Sequence, residues 1–308
     1  MKKYERRDFL KTSLLGGISF AALPGITAQK ESLSFTIFLP AYDTESESCI
    51  NNISRITSMH KKYNIPATFF VLADKLTTEG KKILVHELND PLFEIASHSF
   101  NHQLIVESSH GRAADAKQVR KEIIDSKKAI EDAFGKPIHG FRPGVGFSTA
   151  FNKQQQILEL VKEAGYTYTS SMLWGPQNSL PAEIIEPFNY SADGFTGIWE
   201  IPGHGWHENL LKNNNKTGPV KITLWPPQWP EVIPKQFIKT PEEEFAMNKL
   251  FIDKAAGDNK KHITFIWHPW SLVLFDKEMK MLDLTFSYIN KLNLKTSSFH
   301  DFSAMLQL

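Results

Sequence analysis

The chain has 308 residues, 41% hydrophobic and 22% charged, which is enough apolar material to bury a sizeable core in one large or two ordinary domains. A formal net charge of +1 gives no electrostatic case for a nucleic-acid partner. The single cysteine, Cys49, excludes an internal disulfide and any multi-cysteine metal site.

At the N-terminus, Arg6-Arg7-Asp8-Phe9-Leu10-Lys11 precedes the apolar, small-residue run Thr12 to Leu23, and Ile26-Thr27-Ala28 offers a small-residue cleavage site. Residues 1–28 thus resemble a twin-arginine export signal. This implies the twin-arginine export machinery as a partner and a periplasmic or secreted destination. The apolar run is too short and too glycine-rich for a transmembrane helix, so no membrane span is expected in the mature chain.

Ser34 to Leu39 is a β-branched and aromatic run that predicts a buried strand stopping at Pro40, with Tyr42-Asp43-Thr44-Glu45 just past its end. Ile50, Ile53, Ile56 and Met59 give Cys49–Tyr63 helical spacing, and Ala67–Leu72 reads as the next strand. Phe93–Ala96 is another short strand, followed directly by His98-Ser99-Phe100-Asn101-His102. If residues 98–102 begin a helical turn, both imidazoles project from one face. Neutral imidazole suits zinc and its neighbours, and a carboxylate supplies charge that two histidines cannot. The acidic cluster and the histidine pair therefore read as a divalent metal site. The spacing alone also suits two ordinary polar residues at a strand-to-helix junction.

Ala113–Phe134 predicts one long amphipathic helix, after which Ile138–Phe141 leads to Arg142-Pro143-Gly144. Lys153–Ala164 reads as a helix, Tyr166–Thr169 as a strand, His262–Trp267 as a strand ending at His268-Pro269, and Leu282–Leu292 as a last helix. Such alternation argues for a parallel sheet or barrel, whose functional groups lie beyond the carboxyl ends of strands. Asp43, His98, Arg142 and His268 all take such positions. Residues 29–308 read as a single domain with an insertion at about 203–240, rich in asparagine and proline and carrying Trp206, Trp225 and Trp229. Their indoles either stack on a sugar near the site or pack on the barrel wall. His204 and His207 either contribute to the pocket or, as preferred here, are exposed loop residues.

Four segments, Ile65-Pro66-Ala67-Thr68-Phe69-Phe70-Val71, Glu94-Ile95-Ala96-Ser97-His98-Ser99-Phe100-Asn101-His102, Phe141-Arg142-Pro143-Gly144 and Ile266-Trp267-His268, resemble motifs of the polysaccharide deacetylase family, the NodB-homology domain of carbohydrate esterase family four. The resemblance spans roughly Phe35 to Leu306. It implies a distorted α/β barrel of about seven βα units and a divalent metal, zinc by its donor set, held by Asp43, His98 and His102. The implied reaction is removal of N-acetyl, or sometimes O-acetyl, groups from a carbohydrate. His268 matches the histidine that stabilises the tetrahedral intermediate and protonates the leaving amine, and Arg142 the arginine that orients the catalytic carboxylate. The backbone after Pro143 matches a contributor to oxyanion binding.

Three departures stand out. The usual pair of adjacent aspartates is replaced by Asp43 and Glu45, read here with Asp43 as ligand and Glu45 as substitute base, the reverse remaining open. Gly144-Val145-Gly146 replaces the common Pro-Tyr-Gly, and the aspartate-tryptophan motif has no clean counterpart, Ile198-Trp199-Glu200-Ile201-Pro202-Gly203-His204 being the nearest stretch. The expectation is an exported metal-dependent deacetylase of a glycan. A metal-dependent amidase of a small cyclic non-sugar substrate and a non-catalytic glycan-binding relative are the alternatives.

Overall fold

In the computed structural model, residues 36–108, 111–213, 223–224 and 229–308 are described, so the expected export signal and Trp225 lie outside the described residues. Strand β1 (Ile37–Thr44) runs through Pro40, the residue expected to stop it, and so carries Asp43 inside the strand. The reason is where the missing N–H would point. Ile37 N donates to Lys261 O on one side, whereas Phe38 O accepts from Ser297 and Thr44 O from Leu72 on the other. Pro40 shares the parity of Phe38 and Thr44. On that side one partner pairs with Ile37 and Phe38 and the next begins only at Ala41, so no ladder bond is lost.

The chain continues through α1 (Glu47–Asn51), α2 (Ile53–Tyr63), β2 (Ala67–Val71), α3 (Thr78–Glu87) and β3 (Phe93–Ser97). The helix expected at Cys49–Tyr63 is broken at Asn52. That expected at Ala113–Phe134 becomes α4 (Ala116–Arg120), a π-helical stretch (Lys121–Asp125) and α5 (Ser126–Phe134), opened by the Asp115 cap on Gln118 N. Next come β4 (Gly140–Phe141), α6 (Gln155–Glu163), β5 (Tyr168–Thr169), β6 (Ser179–Leu180), β7 (Phe188–Tyr190), β8 (Phe195–Glu200), α7 (Glu208–Leu211) and β9 (Thr223–Leu224). The chain closes with α8 (Pro241–Gly257), β10 (His262–Trp267), α9 (Pro269–Phe275), α10 (Lys280–Lys291), β11 (Lys295–Thr296) and α11 (Phe299–Leu306).

Seven strands run parallel in the order β10-β1-β2-β3-β4-β5-β8, with β7 antiparallel on β8 and β11 parallel on β1. Strand parity then separates two cores. Phe38, Tyr42, Phe69, Ile95, Phe141, Phe265 and Trp267 face the surrounding helices. Leu39, Ala41, Phe70, Ala96 and Tyr168 face inward, where Phe299 and Phe302 of α11 fill the interior. Because side chains alternate along a strand, Asp43, His98, Arg142 and His268 continue the inward-facing series at the carboxyl ends. Four site residues thus share the barrel mouth through period-two alternation alone.

The distorted barrel closes between β10 and the segment after β8 through one backbone bond and one side chain. His204 N donates to Thr264 O at 3.1 Å, and its ring Nδ1 accepts from Thr264 N at 3.1 Å. Nε2 therefore carries the proton, shared with Ile185 O at 3.1 Å, and the ring is neutral. His204 is buried at 4% exposure, which corrects its reading as an exposed loop residue. No helix among the described residues is long and apolar enough to cross a membrane.

Burial lowers the pKa of His204, and likewise that of His60, from 6.5 to about 4. His60 is held neutral by Ile65 O on Nδ1 and the Tyr42 hydroxyl on Nε2. The unfolded chain binds more protons between the two values, so stability is complete above pH about 6.5 and falls as pH drops towards about 4. Each such histidine contributes about 1.4 kcal/mol per pH unit across that window. In urea titrations, His60→Gln is expected to shrink the loss between pH 7 and pH 4.5 by about 2–3 kcal/mol. An unchanged loss would contradict the neutral buried ring.

A candidate metal centre at the barrel mouth

The histidine pair converges without a helical turn. His98 N bonds Val71 O at 2.9 Å and extends the strand, and then Ser99 and His102 adopt left-handed conformations with φ of 71° and 66°. Ser99 Oγ accepts from His102 N at 3.3 Å, and Ser97 Oγ from Ser99 N at 3.2 Å. The tight reversal, rather than i to i+4 geometry, brings the two rings to 5.3 Å. Gly144 lies against His102, where a Cβ would come within 2.6 Å of the ring's Cγ. A residue with a side chain there would push the second imidazole aside.

Glu45, His98 and His102 form the group whose ligand atoms all lie within 4.8 Å of one another. Glu45 Oε2 is 3.2 Å from His102 Nε2 and 3.7 Å from His98 Nε2. Tetrahedral coordination with bonds of ~2.1 Å places ligand atoms about 3.4 Å apart, and these two separations bracket that edge. His98 is buried at 1% exposure, yet neither ring nitrogen has a hydrogen-bond partner. Leaving a buried polar group unsatisfied is costly. The donor set, its spacing and the orphaned imidazole therefore fit a divalent cation.

Asp43 does different work. Arg142 Nη1 donates to its Oδ1 at 2.6 Å, while Arg142 Nη2 donates to Ser170 Oγ at 3.0 Å and the guanidinium lies 3.7 Å from the centre of the Phe70 ring. Asp43 Oδ2 is left facing the mouth, 3.9 Å from both His98 Nε2 and His268 Nε2. Burial pushes the Asp43 carboxyl up, but Arg142, His98 and His268 outweigh it and hold it below the usual value. Glu45 is likewise pushed up by burial and held well below the carboxylate range by His268, His102 and His98. Both acids stay ionised at neutral pH.

His268 completes the ring of groups, its Nε2 3.9 Å from Asp43 and 3.8 Å from Glu45. Its Nδ1 meets Glu208 Oε1 at 3.1 Å, and its backbone N–H donates to the same oxygen at 2.8 Å. Burial alone would depress this imidazole, but Glu208 and Glu45 raise its pKa well above the ordinary value. Glu208 is a candidate site residue that sequence reasoning missed. Its signal was weak, one acid two positions after Trp206 inside the expected insertion, at the start of the four-residue α7.

Glu200, in the stretch nearest the aspartate-tryptophan motif, has other partners. Buried, it accepts from Thr169, the Ser171 hydroxyl and amide, the Met172 amide and the Tyr190 hydroxyl, so it ties β5, β7 and β8 together. Trp206 donates to Val232 O at 2.9 Å and packs on Leu173, Trp174 and Leu180. Trp229 crosses Phe251 of α8 and lines a surface cleft with Lys254, Asp258 and Lys260, at the amino end of β10 and so away from His268. Both indoles pack on neighbouring side chains of the protein, one of the two arrangements their sequence left open. Trp270 touches a site residue, its Nε1 donating to Glu45 Oε1 at 3.2 Å. His207 is half-buried and stacks on Trp174 at 4.5 Å.

Fold and geometry together define an α/β barrel of parallel strands with a candidate metal centre beyond their carboxyl ends. Residues 42–169 match the polysaccharide deacetylase family. The barrel is similar to a protein from Mycobacterium smegmatis assigned as a polysaccharide deacetylase, with a TM-score of 0.62 and 13% identity over 96% of this chain and 94% of that one. It is also similar to Puue allantoinase (TM-score 0.60, 13% identity, 87% and 88% covered). A Pseudomonas aeruginosa PAO1 protein assigned as a polysaccharide deacetylase follows (TM-score 0.58, 14% identity, 87% and 89% covered). No curated protein matches the chain by sequence. The match to the polysaccharide deacetylase family thus covers residues 42–169, and the solved structures, at 13–14% identity, share the fold.

Proposed function

We propose that this protein is a metal-dependent hydrolase that removes acetyl groups from a carbohydrate. Glu45, His98 and His102 hold a divalent cation, zinc by donor type, and Asp43 is the general base. This assignment exchanges the roles expected for Asp43 and Glu45. The observation that carries it is the division of labour at the mouth: Arg142 braces Asp43 at 2.6 Å, while Glu45 shares its group with both histidines.

A cation bound there lowers the pKa of a water from ~15.7 to about 7 and polarises the acetyl carbonyl. Asp43 Oδ2 takes the proton of the attacking water, held in place by the Arg142 contact on its other oxygen. As the bond from the acyl carbon to the leaving nitrogen or oxygen breaks, His268 supplies a proton from Nε2. Glu208 keeps that ring oriented and cationic. The products are acetate and the free amine or hydroxyl. We further propose export through the twin-arginine route, on the strength of Arg6-Arg7 and the apolar run after them.

The test is acetate release by the zinc-loaded chain from N-acetylated chitooligosaccharides and acetylated xylan. Release from either is the expected result. Hydrolysis of cyclic ureides or imides with no acetate from any glycan would replace this reading by the amidase. Glycan binding without turnover that survives His98→Ala and His102→Ala would replace it by a binding protein.

A further inference from the structure

Glu122 is fully buried, and its carboxylate is turned to the backbone of the ligand loop. Its Oε2 accepts the backbone N–H groups of Phe100 and Asn101, each at 3.0 Å. These are two of the three residues between His98 and His102. Gln118 completes the contact, its Nε2 bonded to Glu122 Oε1 and, at 3.0 Å, to Asn101 Oδ1. Glu122 sits in the π-helical stretch Lys121–Asp125, where the widened turn is taken up by Ser126. Ser126 Oγ donates to Glu122 O at 2.6 Å and accepts from Ser97 Oγ at 3.0 Å. Ser97 Oγ in turn accepts from Ser99 N at 3.2 Å. One helix is thus tied to the start and the middle of the ligand loop.

That loop needs such restraint. Ser99 and His102 are non-glycine residues in the sparsely populated left-handed region, which persists only where surroundings over-determine it. Without the carboxylate, two inward N–H groups lose their acceptor, and the cheapest relief is to unwind the reversal. His102 would then leave Glu45 and His98. π-helical stretches are frequent at functional sites, and the one here carries Glu122.

We infer that Glu122 is a positioning residue that presets the separation of His98 and His102 before metal arrives. The inference rests on Glu45, His98 and His102 being the ligands. It is tested on the full chain with Glu122→Ala and with the exchange Gln118→Glu/Glu122→Gln, which keeps an oxygen for the loop and a donor–acceptor pair on the helix, the Asn101 amide turning over to donate to the new carboxylate. Two readouts are taken: zinc affinity by competition with a chromophoric chelator, and amide hydrogen exchange across residues 98–102 in the metal-free chain.

Glu122→Ala is expected to weaken zinc binding by about 10–100-fold, the range for outer-shell partners of metal ligands. It is also expected to speed exchange at Phe100 and Asn101, and the double exchange recovers most of both losses. Unchanged affinity together with unchanged protection in folded Glu122→Ala would overturn the inference. Should that variant fail to fold, the double exchange decides, and weak binding with fast amides in it counts against the inference. A wild-type chain that binds no zinc would defeat the ligand assignment instead, and metal-free amide exchange would still judge Glu122.

Discussion

Asp43→Asn is expected to lower acetate release by about 10²–10⁴-fold, the usual span for loss of a positioned general base, while zinc stays bound. The amide is nearly isosteric and still offers an oxygen to Arg142, but it cannot accept the water proton. Stability falls as well. Arg142 is fully buried, and removing one partner of a buried ion pair costs about 3–5 kcal/mol because the other charge is left uncompensated. Rates are therefore compared well below the variant's Tm, with zinc per chain measured in the same samples. Near-normal turnover by zinc-replete Asp43→Asn would remove Asp43 from the chemistry.

Glu45→Gln should behave in the opposite sense. It removes the only anionic donor of the group that includes His98 and His102, so zinc affinity is expected to drop more than 100-fold, beyond the ~10–100-fold typical of outer-shell losses. The fold should survive, because Glu45 is partly exposed and its contacts besides the histidines reduce to the Trp270 indole N–H. Calorimetric titration with zinc would read the affinity directly. Tight zinc binding by Glu45→Gln, with activity lost, would restore the other assignment, in which Glu45 is the base.

Much of this arrangement was legible in the sequence because strands alternate. Once Phe38, Phe69, Phe265 and their neighbours are set against helices, the positions of Asp43, His98, Arg142 and His268 at the mouth follow from parity. What the sequence hid was long-range or conformational. Pro40 looked like a strand end, since only the staggered pairing of β11 and β2 makes its missing N–H harmless. The roles of Asp43 and Glu45 could not be divided by residue type. The division depends on which carboxylate the buried Arg142 reaches across 99 residues of chain. Glu208 lies 60 residues from the histidine it contacts, in a segment with no periodicity to place it. The left-handed turns at Ser99 and His102 leave no mark in composition, because neither residue is a glycine or an asparagine.

The central claim is the division of the two acids, and anomalous diffraction from crystals grown with zinc tests it most directly. The predicted result is one peak about 2.0–2.2 Å from a Glu45 carboxylate oxygen and from one ring nitrogen each of His98 and His102, with Asp43 still on Arg142 and not bonded to the metal. A zinc ion bonded to Asp43, with Glu45 turned away from it, would contradict the account.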